Sequence, residues 1–108
     1  MKTQEAVVAL AALAQETRLS IYRALVQAGP EGLPAGHIAE IVGTPASTLS
    51  FHLKELAGAS LIRSRQDGRF VIYSARYEAM NDLVGFLTEK CCQAPAVQTI
   101  TFKPRKAS

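Results

Sequence analysis

The sequence predicts a mainly α-helical fold with one small β-hairpin. Apolar residues recur at helical spacing along most of the chain before Cys92, which favours helices. Asp67 and Gly68 separate two short runs of branched and aromatic residues, a pattern typical of a tight hairpin. A helix that begins at Pro45 leads directly into this hairpin. Together these observations predict a winged helix-turn-helix.

The glycines and prolines set the boundaries of the predicted elements. Five helices span residues 5–14 (α1), 16–28 (α2), 34–42 (α3), 45–58 (α4) and 77–92 (α5), and the hairpin strands span residues 61–65 and 70–74. Gly29 and Pro30 separate α2 from α3, and Gly43 ends α3. We expect residues 1–92 to form one domain and residues 93–108 a mostly flexible, basic tail.

Helix α4 combines an apolar stripe with a face of mostly short polar side chains. Leu49, Leu53 and Leu56 recur at helical spacing and predict the buried stripe. The opposite face is expected to carry Ala46, Ser47, Thr48, Ser50, Phe51, His52 and Lys54. Short hydrogen-bonding side chains can lie close to base edges, so this face suits the major groove of DNA.

Arginines crowd the hairpin that follows α4. Arg63, Arg65 and Arg69 would place guanidinium groups beside phosphates or in a minor groove. For the hairpin alone, a solvated turn is the alternative interpretation. Directly after a groove-reading helix we favour DNA contact, and the formal net charge of +3 agrees with a polyanionic partner.

Three segments carry a resemblance to a known family. Leu13–Ile21, Ser47–Leu56 and Gly68–Tyr73 are similar to the start of the second helix, the S-x-x-S-x-H-L-x-x-L recognition helix and the wing of the ArsR/SmtB repressors of bacteria. The resemblance covers about residues 6–92. It implies a winged-helix repressor that binds operator DNA and releases it when an inducer binds.

A homodimer would add buried area to the modest core of this 108-residue chain. Helix α5 carries an apolar stripe at i, i+3, i+4 and i+7, and α1 is unusually apolar. We expect these helices to form the dimer interface through Val7, Leu10, Met80, Leu83, Val84 and Leu87. Such a dimer places two α4 helices in successive major grooves of a pseudo-palindromic, double-stranded operator.

Cys91 and Cys92 are the only cysteines, and they are adjacent near the predicted end of α5. A helical cysteine is often just a small buried apolar residue. Neighbours on a helix lie about 100° apart, so the two thiols cannot share one packing site. Two soft thiolates select thiophilic ions, and fraying of the last turn would let both sulfurs contact one atom.

The available ligands do not suit a zinc site. A structural zinc ion takes four protein ligands, and only His37 and His52, far along the sequence, could join the two thiols. The zinc-sensing members of the family carry aspartate and histidine ligands along α5, and no histidine occurs there in this chain. The best-known arsenic and antimony members place cysteines at the start of α3, where this chain has Pro34 and Gly36.

The thiol pair instead resembles that of family members that sense trivalent arsenicals at the end of α5. Arsenic(III) is pyramidal and takes three ligands, so two thiolates saturate a methylated arsenical but leave arsenite one ligand short. Residues 93–108 contain no further cysteine. The resemblance therefore implies methylarsenite as the favoured inducer, with arsenite or antimonite as the other candidates and no required cofactor.

Two other functions of the cysteine pair remain open. A vicinal disulfide would make the protein a redox switch, although the ring is strained and the negative end of the α5 dipole opposes thiolate formation. A small thiol enzyme is the other alternative. The sequence contains no C-x-x-C motif, no glycine-rich phosphate loop and no plausible base beside the thiols, so we expect a protein that is not an enzyme.

The start of the chain imitates a short signal peptide. Lys2 precedes the apolar run Ala6–Ala14, which ends like a cleavage site. Glu5 opposes that interpretation, and removal of the run would leave the next helix without a packing partner. We therefore expect a cytoplasmic protein with reduced thiols and no membrane partner.

Overall fold

The computed structural model describes residues 1–92, which form five helices and three strands. The elements are α1 (Thr3–Leu13), α2 (Glu16–Ala28), β1 (Leu33–Pro34), α3 (Ala35–Val42), α4 (Ala46–Gly58), β2 (Ile62–Asp67), β3 (Phe70–Ala75) and α5 (Tyr77–Leu87). The predicted winged helix-turn-helix class is confirmed. The predicted tail, residues 93–108, lies outside the described residues.

A short strand that the sequence pattern did not predict joins the hairpin. β1 runs antiparallel to β3, with Leu33 opposite Tyr73, and the sheet order is β1-β3-β2. Two residues ending in a proline give no alternating pattern, so the strand exists only through its pairing with β3. Gly32 permits this approach because its φ is +72° and a Cβ there would lie 2.2 Å from the carbonyl oxygen of Tyr73.

The core forms where α2 crosses the other elements. Helix α2 contacts α1, α3, α4 and β3. Its Ile21 and Leu25 are fully buried together with Ile38 of α3 and Leu56 of α4. The predicted apolar stripe of α4 is therefore confirmed. Because this stripe is buried in the core, the opposite face of the helix points toward solvent.

Helix α1 packs through small residues and leaves larger ones in water. Ala6, Ala9 and Ala12 are buried at a spacing that puts them on one face. Val7 and Leu10 point away from this face and are 59% and 41% exposed. Because α1 contacts α5 within the protomer, their exposed apolar residues lie on neighbouring helices.

Helix α5 is shorter than the sequence predicts. It ends at Leu87, whereas the predicted helix continues to Cys92. The Thr88 hydroxyl donates to the carbonyl of Val84 at 2.8 Å, a local bond of the kind that competes with helix continuation. Lys90 and Cys92 have φ values of +59° and +63°, so the cysteines lie in turns after the helix. The prediction of a helical Cys91 and Cys92 is wrong.

Candidate nucleic-acid interface

Most of the predicted base-reading face of α4 is open to solvent. The exposed residues are Ala46, Ser47, Thr48, Ser50, Phe51 and Lys54. Ser50 already uses its hydroxyl hydrogen within the helix, where it donates to the carbonyl of Ala46 at 3.1 Å. The contact of these residues with bases stays a prediction, but the surface needed for it is free in the protomer.

His52 does not lie on that exposed face, so its predicted placement is wrong. It is only 8% exposed, and its Nδ1 lies 3.4 Å from Nη1 of Arg18. Arg18 also donates from Nε to the carbonyl of Ala12 at 2.6 Å, which connects α4 with α2 and the end of α1. The spacing from Leu49 to His52 continues the buried stripe, and this was the signal available in the sequence.

The three arginines of the wing differ in their surroundings. Arg63 forms an ion pair with Glu78 at the start of α5, although both side chains are more than half exposed. Arg65 donates to the carbonyl of Glu31 at 2.9 Å. Both are therefore held against the body of the protein, while Arg69 is exposed in the turn between β2 and β3. Their contact with DNA stays a prediction, and Arg69 is the best placed of the three.

Glu78 was not recognised as part of this region from the sequence. A hydrogen bond from Arg76 is the main cause that lowers the pKa of Glu78, and Arg63 lowers it further. The carboxylate therefore stays ionised and opposes the positive charge at the base of the wing. The separation of Glu78 from Arg63 along the chain gave no local signal of this pairing.

The two thiols lie close together on the surface. The Sγ atoms of Cys91 and Cys92 are 2.8 Å apart, and both side chains are exposed. Hydrogen bonding with Cys92 is the main cause that raises the pKa of Cys91. Within residues 1–92 no group of three or more histidine, cysteine, aspartate or glutamate side chains could hold a metal ion. His37, considered as a possible ligand, is exposed on α3.

The predicted dimer interface divides into exposed and buried parts. Val84 and Leu87 of α5 are 55% and 58% exposed, and Val7 and Leu10 of α1 are exposed as well. Leu83 is only 7% exposed and belongs to the core of its own protomer, so its predicted place on an exposed surface is wrong. Met80 is partly buried against the same core. Val8, which was not predicted, adds a further exposed apolar side chain.

No helix within residues 1–92 has the length and hydropathy needed to cross a membrane.

Comparisons with known proteins agree with this architecture. Residues 13–65 match a helix-turn-helix domain family. The chain is 33% identical over 89 residues to the HTH-type transcriptional regulator YgaV of Escherichia coli K12. This alignment covers 82% of the chain and 88% of YgaV. The structure of an ArsR-like transcriptional regulator from Rhodococcus sp. RHA1 aligns with a TM-score of 0.72 and 26% identity over 83% of this chain and 82% of that one.

A second solved structure shares the fold at lower identity. It is the homodimeric winged helix-turn-helix DNA-binding domain Mb0332 from Mycobacterium bovis, with a TM-score of 0.65, 23% identity and coverage of 81% of each chain. The domain match runs from the last residue of α1 into β2, so it includes the whole of α4. The chain belongs to the helix-turn-helix family of transcriptional regulators that includes YgaV, and its winged-helix fold is that of the ArsR-like regulator from Rhodococcus.

Proposed function

We propose that the protein is a homodimeric repressor that releases its operator when a trivalent arsenical binds to Cys91 and Cys92. Methylarsenite is the favoured inducer. The observation that carries the proposal is the pair of exposed sulfurs 2.8 Å apart, directly after the helix whose exposed residues face a partner in the proposed dimer.

The proposed dimer joins the exposed apolar residues of α1 and α5. Val7, Leu10, Val84 and Leu87 are each more than two-fifths exposed, and burying them against a second copy removes their apolar surface from water. The homodimeric state of the Mycobacterium bovis domain supports this arrangement. A twofold axis between the protomers would set the two α4 helices about 34 Å apart, the spacing of successive major grooves.

The proposed inducer site follows from the number of available ligands. Two soft sulfurs that already lie close together can both bind one thiophilic atom. No third ligand of a suitable kind is grouped with them within residues 1–92, which favours an arsenical whose methyl carbon occupies the third position. Binding would reshape the turn that begins at Thr88, immediately beside Leu87 of the proposed interface. By linkage, DNA weakens arsenical binding by the same factor by which the arsenical weakens DNA binding. This factor typically corresponds to a coupling free energy of about 1–3 kcal/mol.

A titration tests the proposed function directly. A DNA binding site, the selected site, is first obtained by selection from random-sequence duplex DNA and is labelled with a fluorophore. Methylarsenite, arsenite, antimonite and zinc are then compared for release, measured by fluorescence anisotropy. Methylarsenite should act at the lowest concentration and zinc should have no effect. If arsenite acted at a lower concentration than methylarsenite, the ligand count would be wrong.

A vicinal disulfide between the same sulfurs is the second candidate, because their closeness also favours oxidation. The raised pKa of Cys91 counts against it, since the thiolate is the reactive form. Mass spectrometry after diamide treatment, compared with methylarsenite treatment, separates the two. Release of DNA with a loss of two hydrogens supports the redox switch, and release with a bound arsenical supports the metalloid sensor.

The raised pKa predicts how the thiols respond to pH. At a given pH, Cys91 carries less thiolate than an ordinary cysteine, so its alkylation by iodoacetamide should be slower near neutrality. Its rate should keep rising at pH values where an unperturbed cysteine is already ionised. Cys92→Ala removes the main cause of the shift and should move the profile back down. An alkylation rate of wild-type Cys91 that levels off at the ordinary thiol pKa would contradict this prediction.

The wing arginines give a test of the DNA interface. Arg69→Ala should weaken binding to all sequences and reduce the slope of log K against log salt by about one unit, because one phosphate contact is lost. Arg63→Ala is the matched control, since its charge is opposed by Glu78 in the free protein. Anisotropy titrations at several salt concentrations measure both slopes. Equal slopes for Arg69→Ala and the wild type would exclude the wing tip from the interface.

A further inference from the structure

Helix α4 leaves one aromatic ring in water. Phe51 is 56% exposed, and it lies on the same face as Ser47 one turn before it and Lys54 one turn after it. Its ring contacts the ring of His52 edge to face, with the centroids 5.7 Å apart, and His52 itself turns inward to Arg18. Phe51 has no place in the core cluster of the protomer, and more than half of its side chain stays in water despite this contact, so burial does not explain an aromatic residue at this position.

The same face has few side chains that can read bases through hydrogen bonds. Residues 46–58 contain no arginine, asparagine or glutamine, the residues that most often form paired hydrogen bonds with guanine or adenine. The Ser50 hydroxyl already donates to the carbonyl of Ala46. The donors that remain toward a major groove are the Ser47 and Thr48 hydroxyls and the Lys54 ammonium group. Hydrogen bonds from α4 alone therefore offer limited discrimination between one base pair and another.

We infer that Phe51 reads thymine methyl groups in the major groove, so that the DNA facing α4 is selected for thymine. This inference rests on the DNA-binding part of the proposed function and is independent of the inducer. The thymine methyl is the apolar group that base pairs present in the major groove, and an aromatic side chain can recognise it by apolar contact. The Ala46 and Thr48 methyl groups, in the first turn of α4, can extend the same contact.

The test uses the selected site and removes one methyl group at a time. Each thymine of a half-site is replaced in turn by deoxyuridine, which keeps all hydrogen-bonding groups. For the wild-type protein, at least one replacement should weaken binding about fourfold, the value of one buried methyl group. Phe51→Ala should bind the thymine and deoxyuridine sites equally. Phe51→Leu, which keeps an apolar side chain, should retain part of the difference.

Phe70 provides a matched control for the loss of an exposed ring. It is 62% exposed but lies on the wing rather than on α4. Phe70→Ala should therefore keep the full deoxyuridine effect. Thermal unfolding and sedimentation of Phe51→Ala should match the wild type, because the ring is outside the core.

The outcomes separate this inference from the proposed function. The role of Phe51 is overturned, and DNA binding is left intact, if no deoxyuridine replacement weakens binding. The same holds if the replacements weaken binding of the wild type and of Phe51→Ala by the same factor. A selection that enriches no sequence overturns both. If Phe51→Ala changes the sedimentation coefficient to that of a monomer, the ring contacts a second copy and the inference is wrong.

Discussion

Cys91→Ser and Cys92→Ser should each fold, dimerise and bind the selected site, yet each should lose its response to methylarsenite. One sulfur cannot chelate, and the second bond of a chelate forms at a high effective concentration. Loss of either thiol should therefore raise the concentration needed for release by about 100-fold or more. Anisotropy titration of the DNA complex measures this shift, and serine keeps the size and polarity of an exposed side chain.

If both sulfurs bind one arsenic atom, the two serine variants must behave alike. A response that survives in one of them would mean that the other thiol is not a ligand. His37→Ala is the control for a third ligand, because His37 is exposed on α3 and has no role in the proposed site. If His37→Ala abolished release, the site would extend beyond the cysteine pair. If both serine variants responded normally, arsenical sensing by this pair would be excluded.

Val84→Asp should convert the dimer into a folded monomer and remove most of the DNA affinity. Val84 is 55% exposed in the protomer, so the charge is tolerated there, but the proposed interface would bury it beside α1 of the partner. A monomer binds one half-site, and the loss of linked binding should lower the affinity for the selected site by about 100-fold or more. Sedimentation velocity and anisotropy measure the two effects on one sample.

Leu83→Asp gives the contrast that locates the interface. Leu83 is 7% exposed, so a charge there disrupts the core of the protomer and should remove the circular dichroism signal of the helices. Val84→Asp should leave that signal unchanged, and Val84→Ala should keep the dimer. A dimeric Val84→Asp protein with normal DNA affinity would place the interface on a different surface.

The order of helices and wing could be predicted from the sequence because local signals specify it. Leucine spacing identified the buried stripe of α4, and Asp67 and Gly68 identified the hairpin. His52 was assigned to the wrong face because its polar side chain was given more weight than its spacing from Leu49. Its burial depends on Arg18 in another helix. Leu83 was assigned to the dimer interface because periodicity does not distinguish the core of a protomer from a surface shared by two.

The remaining differences arise from contacts between distant parts of the chain. β1 depends on β3, and the ion pair of Arg63 depends on Glu78. The end of α5 carried no proline or glycine stop signal, so the sequence pattern predicted a helix that continues through both cysteines. The closeness of the two sulfurs was expected from a frayed helical turn, but the backbone that provides it has positive φ at Lys90 and Cys92.

The strand order β1-β3-β2 also bears on how the protein avoids aggregation. Both outer strands have unpaired backbone groups that could extend the sheet into another molecule. β2 presents exposed Arg63, Arg65 and Asp67, and β1 is two residues long and ends in Pro34, which cannot donate a ladder hydrogen bond. Charge protects one edge, and shortness with proline protects the other. The arginines at the base of the wing thus oppose intermolecular strand pairing, a role that does not require DNA.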